Sequence, residues 1–363
     1  MTPKLRPVAI YLPQFHPIPE NDTWWGKGFT EWTNVTKAQP LFRGHYQPHL
    51  PADMGFYDLR LAEVRQAQAT LAKEHGIYGF CYYHYWFNGQ RILEKPFEEV
   101  LASGKPDFPF MICWANENWT RSWDGQEKDV LLKQDYSFED DLAHIRYLCR
   151  AFADCRYIRV AGKPIFAVYR PALFPDIQRT IEIWRKEAYR QGIGEIYLVY
   201  VQSFGMTCDP ASIGFDAAIE FQPDFSNLPS PQSGRLRDWV SNKIEMKASA
   251  YAKNKIISYE AFVHRMMEKP RPPYKIFPGI TPMWDNTARR KVNALVLDKS
   301  TPKLYGQWLR HIVQQFHPYT SEENFIFLNA WNEWAEGNHL EPCLRWGRAY
   351  LEETKKVLLP IRN

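Results

Sequence analysis

Most of the signatures that assign a function at sight are missing from this chain of 363 residues. It has no CxxC pair, and its six cysteines, Cys81, Cys113, Cys149, Cys155, Cys208 and Cys343, are scattered. That spacing excludes the dense disulfide framework of secreted mini-domains. Cys81 and Cys113 fall inside apolar runs, where a free thiol behaves as a small hydrophobe. No run of 18 apolar residues occurs, so no membrane insertion is expected. The first residues, Met1 to Pro7, lead into a strand without an apolar leader, and a cytoplasmic location is the expectation. A formal charge of +4 is close to neutral at this length and argues against a nucleic-acid partner. No HExxH or His-x-His pair accompanies His16, His45, His49 and His84, and Pro48 disfavours a helical His45/His49 pair, so no metal is expected. A G-x-S-x-G elbow, an Asp-x-Asp pair and a glycine-rich phosphate cradle are all lacking. Asp140-Asp141 reads as the acidic start of a helix, and no cofactor is called for.

Aromatic residues, by contrast, are abundant: 15% of the chain, with 14 Trp and 20 Tyr. They serve in cores, but also in saccharide clefts and other stacking surfaces. Eight short apolar runs recur along the chain: Pro7 to Leu12, Tyr78 to Tyr83, Phe108 to Trp114, Pro164 to Tyr169, Ile196 to Val201, Phe215 to Phe221, Ile276 to Ile280 and Phe325 to Trp331. They are continuous and not alternating, as in parallel strands covered on both faces. Amphipathic segments lie between them, including Leu59 to His75, Phe138 to Ala151, Pro175 to Arg190 and Lys303 to Phe316. This alternation predicts an α/β fold, a (β/α)8 TIM barrel in one domain with loop insertions. A doubly wound open sheet is the competitor, disfavoured because Leu12 to Pro17 is proline-rich where that fold wants glycines. Residues at about 222–273 read as an insertion, with Lys243, Lys247, Lys253 and Lys255 on one solvated helical face.

In such a barrel the functional residues sit at the C-terminal strand ends. Those ends supply His16 and Trp32 after strand one, and Tyr83, His84 and Trp86 from strand two. Strand three supplies Trp114, Asn116 and Glu117, strand four Tyr169 and strand six Glu220. Trp284, Asp285 and Asn286 follow strand seven, and Trp331 and Asn332 follow strand eight. Aromatic faces with amides and carboxylates suit a polysaccharide or oligosaccharide substrate. The eighth end also carries Glu333 and Glu336 among tryptophans, in Asn329-Ala330-Trp331-Asn332-Glu333-Trp334-Ala335-Glu336-Gly337. Cleaving a glycosidic bond needs such a carboxyl pair, one group to donate a proton and one to accept it or attack. An exposed Glu/Glu pair at a helix start is the alternative.

The segments Tyr11-Leu12-Pro13-Gln14-Phe15-His16-Pro17, Trp24 to Trp32, Tyr82 to Trp86, Trp284 to Thr287 and Trp331 to Pro342 together resemble the WbsX family of polysaccharide-locus proteins. That family in turn resembles glycoside hydrolase family 99, the endo-α-mannanase and endomannosidase group, through Trp331-Asn332-Glu333-Trp334-x-Glu336-Gly337 and Glu341-Pro342. The resemblance implies a retaining reaction. Glu333 would act as base toward the sugar 2-hydroxyl, and Glu336 would serve as acid and then base at the glycosidic oxygen, through a 1,2-anhydro sugar. The Glu336 role would need a raised pKa, for which Trp331 and Trp334 are the expected cause. The first-strand loop resembles WbsX and not the mannan-cleaving enzymes, so the resemblance leaves the sugar specificity open. Three functions remain: an endo-acting glycoside hydrolase, a glycosyltransferase or transglycosylase of surface-polysaccharide (O-antigen or capsule) biosynthesis, and a sugar-binding module, which has no use for the carboxyl pair.

Overall fold

The computed structural model describes residues 5–121, 126–203, 205–232, 250–290 and 292–359. Six parallel strands follow one another in the first part of the barrel: β1 (Arg6–Tyr11), β2 (Gly79–Phe87), β3 (Phe110–Trp114), β4 (Lys163–Val168), β5 (Tyr197–Gln202) and β6 (Ala217–Glu220). The seventh, β7, runs as two pieces, Ile276–Phe277 and Gly279–Ile280, and β8 is Phe325–Leu328. Ile276 pairs with Ala218 of β6, Gly279 pairs with Phe327 of β8, and β8 pairs with β1, so the ring closes through β7. The break falls at Pro278, which has no N–H to donate, while its carbonyl accepts from Phe327. At Gly279 a Cβ would lie 1.9 Å from the Glu220 carbonyl oxygen, so only glycine lets β6 and β7 approach this closely. The fold is the (β/α)8 barrel expected from the eight apolar runs, all of which contain a strand.

The outer layer holds α3 (Ala62–Glu74), α4 (Lys95–Ser103), α5 (Phe138–Phe152), α6 (Ile177–Arg190), α8 (Tyr259–Glu268), α9 (Pro302–Gln315) and α10 (Ala349–Leu358). Two short helices, α1 (Pro19–Trp25) and α2 (Glu31–Lys37), fill the loop after β1, and α7 (Ala250–Lys253) precedes α8. At α5, the Ser137 side chain accepts from the Asp140 N–H, which makes Asp140 and Asp141 part of an acidic first turn. None of the described helices is long and apolar enough to cross a membrane.

The basic stretch departs from expectation. Lys243 and Lys247 lie outside the described residues, whereas Lys253 ends α7 and Lys255 opens a strand, Lys255–Ser258. That strand pairs in parallel with Leu295–Asp298 and forms a wall beside the barrel mouth. Its Ile256 and Ile257 are buried, and β-branched residues favour the strand over a solvated helix.

Strand register fixes which side chains enter the barrel. Tyr83 pairs with Cys113, Cys113 with Ala167, Ala167 with Val199 and Val199 with Ala217. Side chains alternate along a strand, so Tyr83 and Tyr85 point inward while His84 and Trp86 point at the helices.

Candidate active site

The mouth of the barrel opens into a cleft of about 940 Å³, lined by Tyr83, Tyr85, Glu117, Trp119, Tyr169, Arg170, Phe221, Phe225, Trp284, Asn286, Arg289, Glu333 and Glu336 among others. Glu333 and Glu336 converge there on one guanidinium. Arg289 Nη2 donates to Glu333 Oε2 at 3.0 Å, and Nη1 lies 2.7 Å from Glu336 Oε1. The remaining side of the fork meets a third carboxylate: Nε and Nη2 both reach Glu31 Oε1 at 2.8 Å. Glu31 is fully buried at the start of α2, where its own N–H bonds to the Gln14 carbonyl.

One cation shared by three acids leaves this cluster short of positive charge. Burial pushes the Glu333 carboxyl up to about 8; the Arg289 charge opposes this, and Glu336 and Glu31 add to it. Burial raises Glu31 as well, again against Arg289. At neutral pH the Glu333/Glu336 pair therefore retains a proton. Across the cleft, burial raises the Glu117 carboxyl while Arg170 pulls it down through an ion pair. Burial also raises the phenols of Tyr83, Tyr85 and Tyr169, which stay protonated and able to donate a hydrogen bond.

The Glu336 backbone is held from the β7 loop, with the Asp285 N–H donating to the Glu336 carbonyl at 2.7 Å. The turn then reverses at Gly337, with φ +54°, where a Cβ would sit 2.9 Å from Asp285 Cβ. Both the left-handed conformation and the close approach require glycine. Asp285 itself faces away from the cleft. Its carboxylate accepts from His45 Nε2 at 2.6 Å and from Thr287 Oγ1 at 2.6 Å. Burial alone would raise it, but the hydrogen bond from His45, with those from Thr287 behind it, holds it below the usual carboxylate range.

Of the residues expected from sequence, Tyr83, Glu117, Tyr169, Trp284, Asn286, Glu333 and Glu336 line the cleft. The others do not, for identifiable reasons. His84, Trp86 and Trp114 fall on the outward parity: His84 Nε2 lies 3.0 Å from His144 Nε2, Trp86 donates to Asp140, and Trp114 packs on His144. Glu220 is outward too, paired with Lys269 at 2.8 Å. Trp32 donates to the Tyr57 carbonyl within an aromatic cluster, and His16 is buried under the first loop. Asn116 ties the β3 and β4 loops together through the Arg170 backbone, and Asn332 does the same between Leu12 and the β8 loop. Trp331 is fully buried, and Trp334 stacks on His339 with centroids 3.8 Å apart. Trp334 Nε1 donates to Glu341, whose carboxylate also accepts from Gln68 and Tyr57. Neither tryptophan lines the cleft.

Tyr85, Trp119 and Arg170 lie on the strand-end stretches that the sequence points to, whereas Arg289, Phe221 and Phe225 were missed. Phe221 was available from period-two alternation out of Ile219. Arg289 belongs to no motif and became visible only once the chain was folded.

Comparison with known proteins agrees with this fold. Two proteins of Xanthomonas campestris pv. campestris, from strains ATCC 33913 and B100, are each described as uncharacterized protein WxcX. Both are 45% identical over 352 residues, covering 97% of this chain and 49% of theirs. The chain thus spans about half the length of the curated relatives it matches. Among solved structures, a glycoside hydrolase-like protein superposes with TM-score 0.61 at 14% identity, covering 98% of this chain and 94% of the other. The GH99 endo-alpha-mannosidase from Bacteroides thetaiotaomicron superposes with TM-score 0.59 at 13% identity, covering 97% and 96%. At such identities these likenesses establish a shared fold. The family described as "Glycosyltransferase WbsX" matches residues 7–354, and the chain belongs to it.

Proposed function

We propose that the protein is a carbohydrate-active enzyme, a retaining glycoside hydrolase that cuts within a bacterial polysaccharide or oligosaccharide. One observation carries this reading: Glu333 and Glu336 meet on one guanidinium at the floor of an aromatic-walled cleft. A volume of about 940 Å³ is at the upper end for ligand pockets and suits several sugar rings. In the reaction, Glu333 takes the proton of a sugar 2-hydroxyl as that oxygen attacks its own anomeric carbon. The glycosidic C–O bond breaks, and Glu336 gives its proton to the leaving oxygen, leaving a 1,2-anhydro sugar. Water then attacks the anomeric carbon and passes a proton to Glu336, while the 2-oxygen recovers its proton from Glu333. Two inversions give net retention. Each proton transfer supplies roughly 10²–10⁴ in rate.

A second reading follows from the family's own description as a glycosyltransferase. If a sugar hydroxyl replaces water in the second step, the same residues make a transglycosylase of surface-polysaccharide assembly. The test is to incubate wild type, Glu333→Gln and Glu336→Gln with a panel of bacterial polysaccharides and with nucleotide sugars. Cleavage lost in both variants supports the hydrolase, and chain lengthening lost in both supports the transglycosylase. Transfer from a nucleotide sugar that survives both substitutions would refute the role of the pair.

A further inference from the structure

The reaction above uses two carboxyl groups, yet the guanidinium that joins them is bound just as closely by a third. Glu31 comes from α2, on the loop after β1, and Arg289 from the loop after β7, so neither is a sequence neighbour of the pair. Glu31 Oε1 takes two of the guanidinium contacts, from Nε and Nη2, at 2.8 Å each. Nη2 is shared with Glu333, and Nη1 goes to Glu336. Glu31 Oε2 is buried without a hydrogen-bond partner, so the Arg289 contacts to Oε1 are what oppose the cost of burying this carboxyl group. That geometry has two consequences. The fork is locked from behind, so both reacting carboxyl groups are presented from one rigid plane. A third carboxyl group also sits on the far side of the guanidinium, and in its ionised form it uses part of the attraction that would otherwise ionise Glu333.

We propose that Arg289 and Glu31 form a positioning pair for the two reacting carboxyl groups, with Glu31 setting how strongly the shared guanidinium acts on Glu333. This rests on the reading of Glu333 and Glu336 as the reacting groups. Among the described residues, the charged and titratable groups that act on Glu333 include Arg289 from the β7 loop, Glu336 from its own turn, Glu31 from α2, and Tyr83 and Tyr85 from β2, while Lys255, Arg170 and Arg290 line the same cleft. The two phenols stay neutral, so Glu31 and Arg289 are the levers within the pair's own ion-paired cluster. Glu31→Gln preserves an oxygen that accepts from Arg289 and removes the charge alone.

The test is a carboxyl titration by ¹³C NMR on protein labelled at glutamate Cδ, with Glu333→Gln used to assign the Glu333 signal. It needs no substrate, so its outcome is separate from that of the proposed reaction. In Glu31→Gln the Glu333 midpoint should fall by on the order of one pH unit, as expected for removing a nearby like charge. In Arg289→Gln it should rise. Arg289→Lys should rescue the midpoint in part, because a point charge returns, but should leave kcat depressed on any substrate wild type turns over, because the fork does not. An unmoved Glu333 midpoint in Glu31→Gln, in a variant that melts within a few degrees of wild type, would overturn the inference. A shifted midpoint in a protein that processes no glycan would keep the linkage and sink the reaction instead.

Discussion

Raising the pH is the most direct perturbation of the carboxyl pair. The reaction needs one proton between Glu333 and Glu336, because the leaving oxygen must receive it. With Glu333 held at about 8, the pair keeps that proton through neutrality and loses it as the pH passes 8. The pH dependence belongs to the pair: whichever oxygen holds the proton at rest, removing it empties the reactive form. About one tenth of the molecules retain it at pH 9 and about one hundredth at pH 10, so kcat/KM should fall about tenfold per pH unit beyond 8. The assay is initial-rate release of reducing ends at substrate concentrations below KM, with circular dichroism at each pH to exclude unfolding. Roles within the pair separate by substrate: an aryl or fluoride leaving group needs no proton, so its release in the first step should be restored in Glu336→Gln, while Glu333→Gln stays inactive. A rate that stays flat or climbs between pH 8 and 10 would refute the shared-proton account, and restoration of Glu333→Gln alone would reverse the two roles.

Three further outcomes follow from particular contacts. Gly337→Ala combines a left-handed backbone with a Cβ 2.9 Å from Asp285 Cβ, so it should destabilise by about 2 kcal/mol or more in denaturant titration and lower kcat by shifting Glu336. Glu333 and Glu341, held at about 8 and about 7, bind protons more tightly folded than unfolded. Their contribution to stability is complete below the unfolded carboxylate pKa and is lost as the pH rises through 7 and 8. Stability measured by chemical denaturation should therefore fall by at most about 1.4 kcal/mol per pH unit per group, and Glu333→Gln should flatten part of that slope. Trp119, on the cleft wall against Tyr85, offers a stacking face; Trp119→Ala should raise KM about fivefold, a loss of about 1 kcal/mol, with kcat little changed.

The barrel was legible because its strands are buried on both faces and read as unbroken apolar runs between turn signals. Phe325–Leu328, buried at every position, is the clearest case. α8 was hidden because Tyr259–Glu268 lies within what reads as a basic insertion, and its register became clear only from Phe262, Val263 and Met266 packing inward. At the site, composition located the strand ends but not their parity. His84 and Tyr83 are equally plausible sugar contacts by chemistry, and only the pairing of Tyr83 with Cys113 separates them. Trp331 and Trp334 were expected to surround Glu336, yet the first is core and the second serves the buried Glu341. Arg289 was beyond sequence reasoning, since its meaning lies in three partners from distant segments.

The Asp285 to Glu336 backbone bond, the Gly337 contact on Asp285 and the Arg289 fork bind residues 284–290 and 329–341 into one block. The β3 and β4 loops are joined to each other by Glu117–Arg170 and by Asn116 on the Arg170 backbone. For anyone recombining loops among relatives to change the sugar accepted, these are two separate cartridges. The first should be exchanged whole, with Glu31 retained opposite it, because a graft that takes only one of its halves parts the carboxyl groups from their shared cation. The second can be traded as a unit while the reacting pair remains in place.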